Sequence, residues 1–371
     1  MLDERIRVLA RNLVNYSCNV RAGERVLIEA AGIDSPLITC LIEEIYSAGG
    51  LPFVSLTDSK VQRSLLWGLT EGHARDLARF AAFRMEQMQA YIGIRGGQNP
   101  YELSDVPQEK RKLYDTLYSH PVHHDLRVGK TKWVILRYPT EGMSAQSKMS
   151  TAAFEDFYFK VCNLDYAKMD KAMDPLYELM LATDKVHIIG KDTDLRFSIK
   201  GIGAEKCSGL RNIPDGEIYT APVRDSIEGK LTYNTPSTMH GKEFKDVSFT
   251  FSKGKIVEAS ANDTQALVHI LDTDEGARYI GEFALGVNPY IEQPMGDILF
   301  DEKISGSFHF TPGACYTEAY NGNESAVHWD LVCIQTPEYG GGEIYFDDVL
   351  IRKDGRFVPN KLQCLNRENL I

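Results

Sequence analysis

Four short apolar segments recur along the first 140 residues, and a stretch long enough for a helix separates each from the next. The segments are Val26–Ile28, Leu51–Leu56, Tyr91–Ile94 and Trp133–Tyr138. Apolar runs of this length are typical of strands that are buried on both faces. Strands that are joined through helices pair in parallel, because a parallel pair needs a long crossover connection. The alternation therefore predicts an α/β layer with a mainly parallel sheet in the N-terminal half.

The pattern changes near residue 184, after which short strand-like segments dominate and turn residues separate them. Lys253-Gly254, for example, is a hairpin signal between two such segments. The chain length of 371 residues is ordinary for two domains. We therefore predict an α/β domain over residues 1–183 and a strand-rich α+β domain over residues 184–371.

Charge and cysteine content narrow the partners and the compartment. Acidic residues outnumber basic ones by 52 to 41, and the basic residues form no stripe or block, so nucleic acid is a poor candidate partner. No apolar run reaches the roughly 18 residues of a membrane span, and the residues after Met1 do not resemble a signal peptide. The seven cysteines are scattered without a CxxC pair, which argues against a disulfide framework. These features predict a cytoplasmic protein with no membrane partner.

The pattern His328-Trp329-Asp330 lies inside the apolar stretch Ala326–Ile334, which we predict to be a strand. Side chains two residues apart in a strand point the same way, so His328 and Asp330 share one face. The apolar flanks indicate partial burial, and a buried imidazole beside a carboxylate needs a partner. One or two metal ions would supply that partner. A structural His–Asp hydrogen bond in the core is the competing interpretation.

Further candidate ligands lie in the same half of the chain. They are Glu217, Glu282, Glu302 and His309, the last in the predicted strand Ser305–Phe310. Each carboxylate taken alone would ordinarily be a solvated surface residue. Taken with the histidine and aspartate above, they give two imidazoles and four carboxylates. That donor set suits Zn²⁺, Co²⁺ or Mn²⁺ rather than Cu(I) or an iron–sulfur cluster.

Tyr316 follows His309 by seven residues, after a Pro-Gly pair that predicts a turn. A phenol in this position could donate a hydrogen bond to a developing oxyanion. A half-buried structural tyrosine is the alternative, and Tyr320 competes for the same role.

Five segments of the sequence resemble the M29 family of metallo-aminopeptidases, the aminopeptidase T-like peptidases. The segments are PDGEIYTAPVRDS, LDTDEGARYIGEFALGVNP, ILFDEKISGSFHF, NESAVHWDLV and GGEIYFDDVLIRKDGRF. They occur in order, and the likeness extends over essentially the whole chain. The resemblance implies an N-terminal α/β domain, a C-terminal domain with a two-metal site, and a homodimer.

By motif, the resemblance also implies a set of metal ligands for two divalent ions, Zn²⁺, Co²⁺ or Mn²⁺. The implied ligands are Glu217, Glu282, Glu302, His309, His328 and Asp330. Glu282 or Asp330 would bridge the ions, Glu282 would also act as general base, and Tyr316 would donate to the oxyanion. The implied reaction releases N-terminal residues, with a preference for apolar ones such as Leu, from peptides that have a free N-terminus. Metal-activated water would be the nucleophile.

Two other functions fit parts of the pattern. His309, His328 and Asp330 could hold non-haem Fe(II), as two histidines and a carboxylate do in many oxygenases. Ring-cleaving dioxygenases of hydroxypyridines, such as 2,5-dihydroxypyridine, share this general fold, but three additional glutamates favour a second metal and hence the peptidase. A metal-stabilised binding or scaffold protein without enzymatic activity is the third interpretation.

Overall fold

The computed structural model describes residues 3–97, 99, 102–239 and 241–371. The packing of the Cα atoms divides the chain into two compact units. The first contains the described residues up to Asn163 together with Gly209–Pro214, and the second contains Leu164–Ser208 and Asp215–Ile371. The domain boundary near residue 184 stays a prediction. None of the helices in the described residues is both long enough and apolar enough to cross a membrane.

The α-helices are α1 (Glu4–Arg11), α2 (Ser35–Ser47), α3 (Ser59–Trp67), α4 (Glu71–Met85), α5 (Gln108–Tyr114), α6 (Glu141–Gln146), α7 (Thr151–Cys162), α8 (Tyr166–Ala182), α9 (Thr264–Leu271), α10 (Ile298–Asp301) and α11 (Arg367–Leu370). Two π-helical segments, Asn12–Ser17 and Asp115–Val128, continue α1 and α5. Short 3₁₀ turns lie at Gly276–Arg278, Pro337–Tyr339 and Asn360–Leu365.

The strands are β1 (Arg25–Ala31), β2 (Leu51–Thr57), β3 (Ala90–Arg95), β4 (Lys132–Arg137), β5 (Lys185–Gly190), β6 (Thr193–Ser198), β7 (Glu205–Cys207), β8 (Asn212–Ile213), β9 (Glu217–Thr220), β10 (Glu228–Thr232), β11 (Ser237–Met239), β12 (Lys242–Phe244), β13 (Ser248–Ser252), β14 (Lys255–Ser260), β15 (Ile280–Gly286), β16 (Ser307–Pro312), β17 (Val332–Ile334), β18 (Gly342–Phe346), β19 (Val349–Lys353) and β20 (Arg356–Phe357).

A five-stranded parallel sheet in the order β2-β1-β3-β4-β8 forms the centre of the first unit. Helices alternate with the first four strands, and β1 and β3 are largely buried, which explains why these strands are nearly continuous apolar runs. Side chains that accept a backbone N–H begin several of the helices: Asp58 for α3, Thr70 for α4, Thr140 for α6 and Ser150 for α7. The predicted α/β unit with a parallel sheet is confirmed.

The second unit is built from antiparallel strands, as predicted. An eight-stranded sheet has the order β14-β13-β10-β6-β5-β18-β19-β20, and a five-stranded sheet has the order β17-β16-β15-β9-β7. Lys253 and Gly254 both have positive φ and form the turn between β13 and β14. A Cβ at Gly254 would lie 1.8 Å from the carbonyl oxygen of Arg224, so only glycine fits there.

Aromatic side chains fill the space between these two sheets. Phe197 of β6 packs against Phe283 of β15 and Phe310 of β16, with ring centroids 5.1 Å apart in both pairs. Because side chains alternate along a strand, the neighbours Glu282 and His309 point to the opposite face of the five-stranded sheet. The hydrophobic core therefore fixes which face of that sheet carries the polar side chains.

The predicted strand Ala326–Ile334 is wrong in its first part. Only Val332–Ile334 pairs with β16, and His328 makes an isolated bridge to Gly313. The partner strand β16 ends at Pro312, which has no N–H to donate, so the ladder is interrupted at this point.

Candidate metal centre

Three neighbouring strands bring Glu217, Glu282 and His309 together. Glu217 begins β9, Glu282 lies in β15 and His309 in β16, and β15 pairs with both of the other strands. Nε2 of His309 lies 3.1 Å from Oε1 of Glu282 and 3.6 Å from Oε2 of Glu217. Glu217 is 6% exposed and Glu282 is 3% exposed, so the interpretation of each as a solvated surface residue is wrong.

The segment that contains His328 and Asp330 adds a second imidazole and a further carboxylate. Nε2 of His328 lies 3.3 Å from Oε2 of Glu282 and 3.3 Å from Oδ1 of Asp330. Nδ1 of His328 lies 2.8 Å from the carbonyl oxygen of Ala314, to which it can donate, and this contact turns Nε2 toward the carboxylates. The hydroxyl of Thr311 donates to Oδ1 of Asp330 at 2.8 Å. Ligand atoms of Glu282, His309 and Asp330 all lie within 4.8 Å of one another.

Glu302 joins this group through a residue that the sequence analysis did not single out. It lies at the C-terminal end of α10, and its Oε1 accepts a hydrogen bond from the ammonium group of Lys303. Nζ of Lys303 also lies 3.4 Å from Oε1 of Glu217. Lysine is almost never fully buried unless it is paired, so the sequence around Lys303 gave no signal that this residue lies in the core.

Three buried atoms of this group form no hydrogen bond with the described residues. They are Oε2 of Glu217, Nε2 of His328 and Nδ1 of His309. A buried polar atom without a partner costs about 1–3 kcal/mol, and a cation placed beside the first two would remove that cost. Carboxylate oxygens with imidazole nitrogens are a donor set that divalent transition metals prefer. The residues therefore fit a divalent metal site.

The pKa values of the two histidines show that the surrounding carboxylates favour positive charge at this site. Burial disfavours the charged form of His309, but Glu217 and Glu282 outweigh burial and raise the pKa of His309 to about 10. Burial likewise opposes charge on His328, but Asp330 and Glu282 raise the pKa of His328 to about 12. Protons thus occupy the imidazoles when no metal is bound. Because a ligand must lose its proton to bind a metal ion, metal and protons compete here.

Tyr316 lies beside His328, with ring centroids 4.9 Å apart, and its ring is 5.5 Å from that of Tyr219. The side chain of Tyr316 is 46% exposed, but desolvation of its hydroxyl by the surrounding residues, together with the nearby carboxylates of Glu282 and Asp330, raises the pKa of Tyr316 well above the ordinary tyrosine value. The phenol therefore keeps its proton and can donate a hydrogen bond.

An apolar cluster lies on the same face of the five-stranded sheet. It consists of Tyr219, Ala221, Ala284 and Ala319, with Ile202 and Cys207 packed against them. Ala284 is two residues from Glu282 in β15, so the cluster adjoins the carboxylates. The structure thus brings the predicted site residues to one face, while their individual roles stay predictions.

The chain is similar to known proteins along nearly its whole length. A family model described as thermophilic metalloprotease (M29) matches residues 2–357. Aminopeptidase T of Thermus aquaticus is 33% identical over 408 aligned positions, which cover 96% of this chain and 97% of the relative. Aminopeptidase AmpS of Bacillus subtilis is 28% identical, with 89% of each protein covered.

Two solved structures share the fold. AmpT from Thermus thermophilus superposes with a TM-score of 0.76 and 22% identity, covering 97% of this chain and all of the other. The 2,5-dihydroxypyridine dioxygenase from Pseudomonas putida KT2440 superposes with a TM-score of 0.61 and 14% identity, covering 96% of this chain and 98% of the other. The same architecture therefore occurs in an aminopeptidase and in an oxygenase, and these likenesses establish the fold alone.

Proposed function

Because this chain belongs to the M29 family of metalloproteases and is a metallo-aminopeptidase, we propose that it releases apolar N-terminal residues from peptides at a two-metal site. The observation that carries the proposal is that two imidazoles and several carboxylates lie together, and that some of their own buried nitrogen and oxygen atoms form no hydrogen bond with the described residues. The ligands we propose are Glu217, Glu282, Glu302, His309, His328 and Asp330. When bound, divalent metals such as Zn²⁺, Co²⁺ or Mn²⁺ would supply Lewis acidity and water of lowered pKa.

Glu282 has the central place in this arrangement. Its Oε1 faces His309 and its Oε2 faces His328, so the two oxygens are directed at two different nitrogen ligands. This geometry supports Glu282 as the bridging carboxylate. Burial opposes its ionisation, but His309 and His328 outweigh burial and lower the pKa of Glu282, so the carboxylate is charged. We propose that it also acts as the general base. Burial raises the pKa of Glu302 to about 8 despite the adjacent Lys303 ammonium, so a metal ion would compete with a proton for this carboxylate as well.

Three further features bear on the proposal: a candidate oxyanion donor, the apolar surroundings of the ligands, and the state of the cysteines. The protonated phenol of Tyr316 lies beside His328, where it could donate to the oxyanion that forms on the scissile carbonyl. The buried apolar cluster around Tyr219 and Ala284 adjoins the ligands, so the surroundings of the site on this side are apolar. All seven cysteines are free thiols, which supports our proposal of a reducing, cytoplasmic compartment.

Removal of metal is expected to abolish peptidase activity. We expect chelated, dialysed protein to hydrolyse Leu-p-nitroanilide at less than about 1% of the loaded rate, because a metal-activated nucleophile is usually indispensable for this chemistry. Adding back Zn²⁺, Co²⁺ or Mn²⁺ should restore the rate. N-acetyl-Leu-p-nitroanilide is the matched control and should not be cleaved, because an aminopeptidase requires the free α-amine.

Failure with every metal and peptide would contradict the proposal. Oxygen uptake on a dihydroxypyridine by iron-loaded protein would then favour the dioxygenase interpretation. A loss of thermal stability on chelation, without hydrolysis under any condition, would instead favour a metal-stabilised scaffold protein.

We also propose a homodimer in which strand β2 meets its symmetry mate. Strand β2 lies at the edge of the parallel sheet and, among the described strands, pairs with β1 alone. Its sequence LPFVSLT has no charged residue, although Pro52 has no N–H to offer a partner strand. The N–H of Leu51 donates to the carbonyl of Glu24, which precedes β1. Because the backbone groups of successive residues point to opposite sides of a strand, those of Val54 and Leu56 point away from β1. Exposed apolar side chains on β2 and α3 surround this edge, including Leu56 at 65% exposure. An antiparallel pairing of β2 with a second copy is self-complementary, as a two-fold axis requires.

Substitution Leu56→Lys is expected to convert the dimer to a monomer in sedimentation equilibrium, because it would place a charge within this apolar edge. Leu181→Lys is the control, since Leu181 is 45% exposed on helix α8 and should leave the mass unchanged. A dimer that survives Leu56→Lys would place the interface elsewhere. A monomeric parent protein would refute the homodimer.

A further inference from the structure

Lys303 is a fully buried cation within a group of acids. It is 0% exposed, its Nζ lies 3.4 Å from Oε1 of Glu217, and it donates to Oε1 of Glu302. Asp215 is a further nearby acid, because ligand atoms of Asp215, Glu217 and Cys207 lie within 4.8 Å of one another. Removing an ammonium group from water is costly, and carboxylates that bind it directly must offset that cost.

Lys303 contacts one oxygen of each glutamate, so the two oxygens of each carboxylate have different surroundings. In Glu217, Oε1 faces the ammonium, while Oε2 lies 3.6 Å from Nε2 of His309 and has no hydrogen bond to the described residues. In Glu302, Oε1 is the oxygen that the ammonium holds. The ammonium therefore occupies Oε1 of Glu217 and leaves Oε2 open toward His309.

The backbone fixes the position of Lys303 independently of any bound ion. Its N–H donates to the carbonyl of Phe300 at 3.1 Å, and its own carbonyl accepts from the N–H of Asn288 at 3.0 Å. The side chain of Asn288 donates in turn to the carbonyl of Asp215 at 2.7 Å. A Cβ at Gly286 would lie 2.4 Å from the carbonyl oxygen of Ile304, so the chain at Lys303 runs tightly across strand β15.

We propose that Lys303 is a positioning residue that restricts Glu217 to one-oxygen metal ligation and holds Glu302 in a fixed orientation. This inference rests on the proposed function, since it concerns the same metal ligands. Lys303 contacts Glu217 and Glu302, and in this proposal it acts through these two carboxylates rather than on the substrate. If Lys303 only balanced the charge of the glutamates, its replacement would lower the stability of the fold but leave the coordination of bound metal unchanged.

The test uses Mn²⁺ as the probe and compares Lys303→Met and Lys303→Arg with the parent chain. Methionine preserves the length of the side chain without its charge, so it frees both carboxylates. Arginine keeps the charge but places wider, planar donors against them. At saturating Mn²⁺ we expect both variants to show an altered Mn²⁺ electron paramagnetic resonance spectrum. We also expect kcat for Leu-p-nitroanilide to fall about 10- to 100-fold, the usual effect of removing a partner that orients a metal ligand.

Lys206→Met is the matched control, because Lys206 also bridges two carboxylates, those of Asp170 and Asp174, without contacting the proposed ligands. It should keep the parent spectrum and the parent kcat. Parent-like spectra and kcat in both Lys303 variants would overturn the inference.

A crystal structure of the Mn²⁺-loaded parent protein decides the matter even where neither Lys303 variant folds. We expect Glu217 to bind through Oε2 alone, with Oε1 on Lys303. A Glu217 that chelates through both oxygens, away from Lys303, would overturn the inference. The spectrum and the crystal structure need no peptide, so a protein that binds Mn²⁺ as expected but cleaves nothing would refute the proposed function and not the role of Lys303.

Discussion

Substitution Glu282→Gln is expected to lower kcat/KM for Leu-p-nitroanilide by at least about 10³-fold, beyond the 10–100-fold typical of residues that only support a ligand. Glu282 is buried, and each of its oxygens lies within 3.3 Å of an imidazole nitrogen. Glutamine replaces one of these oxygens by an NH₂ group, which donates hydrogen bonds and cannot bind a cation. It also removes one negative charge from the site, so metal binding should weaken as well.

The measurements are metal content per chain, by mass spectrometry after dialysis, and initial rates at saturating metal. Glu29→Gln is the control, because Glu29 is a partly buried carboxylate in the first unit, in strand β1. We expect it to keep full activity and metal content. A Glu282→Gln protein with the parent's metal content and rate would exclude Glu282 as both ligand and base.

The parallel sheet could be predicted from sequence because its signal is local. Strands β1 and β3 are buried on both faces, so the apolar runs at Val26–Ile28 and Tyr91–Ile94 carry the necessary information within a few residues. The hairpin at Lys253-Gly254 is local in the same way, since two residues with positive φ set the turn.

The convergence of the site residues depends on strand pairing between distant segments. Glu217 reaches His309 only because β9 and β16 both flank β15, and this order follows from the packing of the whole unit rather than from nearby residues. The contact between His328 and Asp330 was foreseeable from their spacing, although the backbone there is not a regular strand. The pattern indicated the correct neighbours for a partly incorrect reason, because Pro312 ends the partner strand.

Burial of charged groups was the least predictable property. Glu217, Glu282 and Lys303 are residue types that ordinarily lie at the surface, and composition gives no sign that they are buried together. Their mutual compensation is what makes burial possible, and compensation is a property of three-dimensional proximity. Lys303 was therefore passed over although it follows Glu302 directly in sequence.

Substitution Tyr316→Phe is expected to lower kcat for Leu-p-nitroanilide by about 10²–10³-fold while KM and metal content stay close to those of the parent. That magnitude is typical for the loss of one hydrogen-bond donor to an oxyanion. Tyr316 is suited to this role because its hydroxyl retains its proton and its ring lies 4.9 Å from that of His328. Phenylalanine keeps the ring and removes only the donor, so the packing against His328 and Tyr219 should persist.

The matched control is Tyr320→Phe, which removes the same hydroxyl from a neighbouring tyrosine of similar exposure, 56% against 46% for Tyr316, and should leave kcat unchanged. The effect must appear in kcat rather than in KM, because a donor that acts only on the oxyanion stabilises the transition state and not the bound substrate. A Tyr316→Phe protein with unchanged kcat would remove this tyrosine from the mechanism. An equal loss in Tyr320→Phe alone would transfer the role to the competing tyrosine. A loss in KM with kcat intact would make Tyr316 a substrate-binding residue and leave the oxyanion without a donor from this loop.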